Sequence, residues 1–225
     1  GRIEVVARRS ADLEIGRDLP GKADVVVADV ASNEILSGNL LGAIEDAKRR
    51  LAAPGAAVVP GIVAARAVLV GGSGIARMVD VGTVGGFDLS PINEFRPRRL
   101  ALPAAIDDVQ ALSDPVDLFR FELGGAEAFP ATKRPVQAVV REAGLCYGLL
   151  QWAWLSLAEG VEFESRPGPA RKASGWHPIL HGFAAPVPVE PGDVLQVIAW
   201  HNREHIVVLP VPTKIRSQTS AAGNG

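Results

Sequence analysis

Cysteine is almost absent, with Cys146 alone in a chain of 225 residues. A single thiol forms neither an intrachain disulfide nor a cysteine-based zinc cluster, so a reducing, cytoplasmic compartment is the expectation. Charge of one dominant sign is missing too: 23 Lys and Arg stand against 25 Asp and Glu. Such a balance offers no basic face, and neither nucleic acid nor an anionic membrane is expected as a partner. Long apolar runs are also lacking. The longest, residues 56–70, is broken by Pro60, Gly61 and Arg66 and falls short of the ~20 residues of a membrane-spanning helix. Gly1 stands where an initiator Met would, no charged-then-apolar leader follows, and residues 2–6 read as a strand already under way. A fragment of a longer protein is therefore expected.

What is present is ordinary globular material, 48% hydrophobic and 21% charged, enough to build a core without staples. Residues 1–60 carry an α/β rhythm. Ile3 to Val6 reads as a short strand, and Ala23 to Ala28 is a near-continuous apolar run of the kind found in a buried parallel strand. Leu40, Leu41, Ile44, Ala47 and Leu51 recur at helical spacing, with Glu45, Asp46, Lys48, Arg49 and Arg50 on the other face. Pro54-Gly55 is expected to end that helix, and Ala56 to Val59 to begin the next strand. Strand, loop, helix and strand in this order predict part of a doubly wound sheet.

From Pro60 onward short apolar runs alternate with Pro- and Gly-rich turns. Residues 62–70, 116–123, 136–141, 147–157, 180–183, 194–200 and 206–211 read as strands, which predicts an all-β barrel or sandwich. Residues 76–113 read as an irregular excursion with short helical turns, and residues 213–225 as a frayed polar tail. The expected organisation is a partial Rossmann-like domain at 1–60, a β-barrel at 61–212 with an inserted arm at about 76–103, and a flexible tail.

In open α/β sheets ligands bind beyond the carboxyl ends of the strands. Asp29 follows the Ala23 to Ala28 run directly, on the loop that leads into the helix, and is the first candidate for chemistry. No Gly-rich strand-to-helix turn suits a nucleotide: Gly71-Gly72-Ser73-Gly74 follows a strand with no helix expected after it. The main cradle of any nucleotide-like cofactor is thus expected upstream of Gly1. His177/His181 and His201/His205 are each four apart, but they fall in strand and turn segments and lack the accompanying glutamate of a zinc protease, so no metal is expected. Trp152, Trp154, Trp176 and Trp200 read as barrel core or rim, and Cys146 as an inert core thiol. A serine hydrolase is discounted because residues 71–75 do not match the nucleophile turn.

The order of several segments resembles the protein arginine methyltransferases, most nearly the branch that makes monomethylarginine. Ser10-Ala11-Asp12-Leu13 is similar to their adenine-reading turn. Residues 24–30, 40–51 and 53–60 resemble their strand, helix and domain exit, and Gly86-Phe87-Asp88-Leu89-Ser90 their dimerisation arm. Gln151-Trp152-Ala153-Trp154-Leu155 and Ser174-Gly175-Trp176-His177-Pro178 are similar to two barrel landmarks. The resemblance implies S-adenosylmethionine as cofactor, with Ser10 and Ala11 contacting it and its main binding motif outside this chain. It also implies a protein or peptide substrate with a cationic side chain, Trp176 beside that substrate, and a homodimer.

A guanidinium is protonated up to a pKa above ~12 with its charge delocalised, so carboxylates must orient it before a nitrogen can attack. The family uses two glutamates nine positions apart and a histidine before the barrel tryptophan. Here the first acid maps to Asp29, the second to Gly38 and the histidine to Gly175. Glu34, on the same loop, is the candidate replacement for the missing carboxylate, while His177 is expected to point to the opposite face from Trp176. Two other readings stand beside an arginine methyltransferase: an inactive binding or dimerisation module, and methyl transfer to a nitrogen other than arginine's.

Overall fold

The structure, a computed structural model, describes residues 3–125, 128–168 and 175–215. Strand β1 (Ala23–Val27) pairs in parallel with β2 (Ala52–Val59), and helix α1 (Leu40–Arg50) crosses between them. The predicted helix is present because Leu40, Leu41, Ile44 and Ala47 bury one stripe, while Lys48, Arg49 and Arg50 occupy the last turn, where the dipole favours cations.

Three expectations for this region are corrected. Residues 3–6 form no strand, because no neighbour pairs with them, and Ile3 and Val5 lie in solvent. β1 is not buried on both faces: among the described residues its only partner is β2, and Val25 and Val27 are 54% and 71% exposed. Pro54-Gly55 does not separate helix from strand. Pairing jumps from Ala23↔Ala52 to Val25↔Ala57, so these two residues loop out as a bulge within β2, with Gly55 at φ +78°.

The remainder is two antiparallel sheets around a shared core, as the all-β pattern predicts, with a second buried cluster that includes Val68, Val70, Leu150, Trp152 and Leu180. The seven-stranded sheet runs β6 (Arg99–Ala101), β12 (Ile179–Val189), β10 (Gly144–Ala158), β3 (Ile62–Gly71) and β7 (Gln110–Ala111), with β8 (Val116–Glu122) beside β3 and β11 (Val161–Glu164) beside β10. The four-stranded sheet centres on β13 (Val194–His201), which pairs with β9 (Thr132–Val139), β14 (Ile206–Val208) and β15 (Thr213–Ile215). Alternate residues Leu195, Val197, Ala199 and His201 of β13 point inward, the period of two expected of a half-buried strand. β15 corrects the expected tail: Ile215 pairs with Val194, while residues 216–225 lie outside the described residues.

Gly71-Gly72-Ser73-Gly74 does lead into a helix, α2 (Ser73–Val79), contrary to expectation. The amides at its start are already used, since Ser73 N donates to Asp108 Oδ2 and Gly74 N to Asp108 O. A Cβ on Gly74 would come within 2.0 Å of Asp107 O, so glycine is required for close backbone packing there. Beyond α2, β4 (Thr83–Val84) and β5 (Phe87–Asp88) make a small hairpin, followed by a 3-10 turn at Ser90–Phe95. This stretch falls within the span expected of an inserted arm, and Val84, Phe87, Ile92 and Phe95 are exposed along it.

One apolar core joins the two regions. Ile35, Leu36, Leu40, Leu41 and Ile44 pack in the same cluster as Val63, Leu69, Leu149 and Phe183 of the two-sheet body. The loop after β1 is therefore seated on the barrel and not on the parallel pair alone.

Candidate functional site

The site is built at the carboxyl end of β1. Ala28 N donates to Val59 O, the last rung before the chain leaves the sheet. Ala28 and Ala31 both pack against the core, so Asp29 and Val30 are turned outward between two anchors, and Asp29 is exposed. Among the described residues, no hydrogen bond or ion pair holds its carboxylate. It is presented at the sheet's edge, next to the crossing into β3.

Gly38 closes the loop on itself. A Cβ at this position would lie 3.5 Å from Val30 O, an ordinary contact, so position 38 returns to the neighbourhood of Asp29 although it carries no side chain. Its φ of +83° favours glycine, and a glutamate there would be strained. Space also surrounds Gly175. Two of the three charged groups that the resemblance implies are absent, in places that the fold still brings to the surface.

Glu34 has another occupation. Its carboxylate Oε2 lies 2.8 Å from Arg99 Nη2 on β6 and 3.1 Å from His205 Nδ1 in the turn between β13 and β14. Partial burial pushes the Glu34 carboxyl upward, but Arg99 and His205 outweigh it and hold the group below the usual carboxylate range. The next residue, Ile35, is fully buried at φ +63°, an uncommon conformation for a β-branched side chain that costs on the order of 1–3 kcal/mol. Buried contacts on Ile35 and Leu36 hold the turn in that conformation.

Beneath Arg99 lies a polar line into the barrel. Arg99 faces His181 across the β6–β12 ladder, and His181 Nε2 meets Gln151 Oε1 at 2.8 Å. Burial, reinforced by the Arg99 charge, pushes the His181 pKa down to about 3, so the ring is neutral at ordinary pH. Sequence spacing grouped the histidines wrongly for this purpose. His181 and His201 point inward, whereas His177 contacts Leu102 O, and His205 meets Glu34. That Glu34 would meet Arg99 and His205, and His181 would meet Gln151, was not legible in the sequence, because these residues come from separate segments.

Trp176 is half-buried, its ring 5.3 Å from that of Phe163, and it packs on the core's edge. Ser174, beside it in the landmark segment, lies outside the described residues. Ser10 and Ala11 form a 3-10 turn whose carbonyls accept from Arg50 Nη2 at 3.0 and 3.1 Å, while Arg50 Nη1 reaches Leu13 O at 2.9 Å. Arg50 is itself paired with Asp46, whose carboxyl it holds below the usual range. Helix α1 thus fixes the shape of this exposed turn. Cys146 is buried, and its thiol is pushed up to about 11 by that burial, which leaves it inert.

A parallel pair crossed by a helix, with an acidic loop at its carboxyl edge and running into a two-sheet barrel, has the character of a methyltransferase fold, a Rossmann-like part followed by a barrel. The structure matches Trypanosoma brucei PRMT1, solved as an enzyme-prozyme heterotetrameric complex with AdoHcy, at a TM-score of 0.64 and 14% identity, covering 88% of this chain and 70% of that one. In sequence the chain is similar to arginine N-methyltransferases. It is 27% identical over 205 residues to the Streptomyces achromogenes arginine N(omega)-methyltransferase, covering 89% of this chain and 55% of that protein. It is 24% identical over 193 residues to protein arginine N-methyltransferase 7 of Oryza sativa subsp. indica and 25% identical over 234 residues to that of Drosophila erecta, covering 26% and 32% of those proteins. The chain spans about half the length of the Streptomyces relative and less of the others. No family model matches it.

Proposed function

We propose that this chain is the substrate-binding and barrel portion of an S-adenosylmethionine-dependent methyltransferase that acts on a guanidinium nitrogen. The observation that carries the reading is Asp29, an exposed carboxylate at the carboxyl edge of the half sheet, on a loop seated on the barrel. An anionic group there attracts a guanidinium, turns one nitrogen outward and accepts the proton that this nitrogen loses on methylation. The exposed turn at Ser10 and Ala11, fixed by Arg50, fits the role of an adenine contact, and the cofactor supplies, when bound, a methyl group carried on a positively charged sulfur.

The Streptomyces relative is named for arginine and the PRMT7 relatives for protein arginine. A guanidinium is the chemistry they share. Methyl transfer by the whole protein to free arginine, an arginine peptide and a lysine peptide tests the reading. Transfer to either arginine substrate, abolished by Asp29→Ala with the fold intact, is expected; transfer to lysine alone, or turnover unchanged in Asp29→Ala, would sink it.

A second reading, a binding or dimerisation module without activity, is favoured by Gly38 and Gly175, which stand where a carboxylate and a histidine would be needed. The apolar arm formed by Val84, Phe87, Ile92 and Phe95 supports self-association under either reading. Absence of methyl transfer from a protein that forms dimers would establish the second reading over the first.

A further inference from the structure

Glu34 joins three segments that are far apart in the chain. The loop after β1 supplies the carboxylate, β6 of the seven-stranded sheet supplies Arg99, and the β13–β14 turn of the four-stranded sheet supplies His205. Its own amide donates to Ser32 Oγ at 3.2 Å, so the residue is held at both backbone and side chain. Arg99 stands opposite His181 on the β6–β12 ladder, and His181 is held in turn by the buried Gln151. The carboxylate is therefore committed to the barrel, in contrast to Asp29, which has no such partner on the same loop.

We propose that Glu34 is a positioning residue: its carboxylate straps the loop of residues 29–39 to both barrel sheets through Arg99 and His205, fixing how Asp29 meets a substrate, and it does not grip the substrate itself. The strap stands on geometry alone; its consequence for Asp29 rests on the reading of function given above. The arrangement also explains how a buried Ile35 at positive φ is tolerated. The residues before and after its strained bond are tied to the body of the protein.

Hydrogen exchange of the full chain reads the strap directly, through the amides of Ile35 and Leu36, which donate within the loop. Glu34→Ala is expected to speed their exchange by about five- to tenfold, the loss of one charge-assisted contact, while amides of β10 are unaffected. His205→Ala, on an exposed turn, is expected to act in the same direction, and combining it with Glu34→Ala should add little. Unchanged protection in Glu34→Ala, or fully additive effects in the double variant, would overturn the strap.

Turnover of the whole protein then separates positioning from gripping. A strap predicts that Glu34→Ala and His205→Ala both lower kcat with KM changed by less than about twofold, since either loses the same contact. A KM raised tenfold by Glu34→Ala and unmoved by His205→Ala would assign Glu34 to the substrate and overturn the positioning role. Loosening of the loop in Glu34→Ala, with turnover unchanged in Asp29→Ala, would keep the strap and remove the reading of Asp29.

Discussion

The parallel pair and the barrel treat the same kinds of side chain in opposite ways. In β13 every second residue is enclosed, whereas in β1 the valines at 25 and 27 stand more than half exposed on the strand that sequence alone would bury deepest. The two-sheet body closes its core within these residues. The parallel pair does not, and it is held by α1 and the following loop, whose leucines and isoleucines enter the barrel's core. A strand's apolar run thus reports the environment it is built for, and burial reports which neighbours are there.

The sharpest way to break that comparison is at the shared contact. Leu41 is fully buried in the common cluster, and Leu41→Ala should cost about 2–5 kcal/mol, with the parallel pair and the barrel losing structure together in one denaturant transition. Two separated transitions would show that the halves are independent.

A smaller effect belongs to the barrel alone. His181 is neutral and buried with a pKa near 3, while an unfolded histidine titrates near 6.5. Between those values the unfolded chain binds the extra proton, so stability falls as pH drops from about 6.5 towards 3, by on the order of a few kcal/mol in all. Denaturation midpoints at pH 7 and pH 5.5 should differ more in the parent than in His181→Gln, where the remaining difference includes that of His201, whose pKa burial also lowers; the carboxylates held low by arginines, Glu34 and Asp46 among them, stay ionised over that interval.

The smallest effect sharpens the comparison from the other side. Val25→Thr, on the open face of β1, should shift stability by less than about 0.5 kcal/mol, measured by the same denaturation midpoint. A cost of 2 kcal/mol would mean that this face is covered in solution.

Much of the architecture was legible beforehand for a physical reason. Helix α1 shows its 3.6-residue stripe, β13 shows its alternation, and the change at Pro60 from helical to strand periodicity marks the passage between regions. Where local pattern misled, non-local packing decided. Pro54-Gly55 reads as a terminator yet sits in a bulge, because β2 has more residues than β1 across the same span. Gly71-Gly72-Ser73-Gly74 reads as a turn with no helix after it, yet a helix starts at Ser73, its first amides satisfied by Asp108 from a distant segment. Thr213–Ile215 reads as tail yet finds an open edge on β13.

At the site the division is similar. Asp29 could be picked out from a strand end and the loop behind it, since both are local features. The engagement of Glu34 could not. The sequence by itself determined which segments become helix and strand, where an acid is presented and which two charged positions are glycine, because periodicity, strand ends and residue identity are written along the chain. Only the tertiary structure decided that Glu34 faces Arg99 and His205, that His181 is neutral inside the barrel and that β1 keeps an open face. Contact, desolvation and burial depend on residues brought together from distant parts of the chain, which no local pattern encodes.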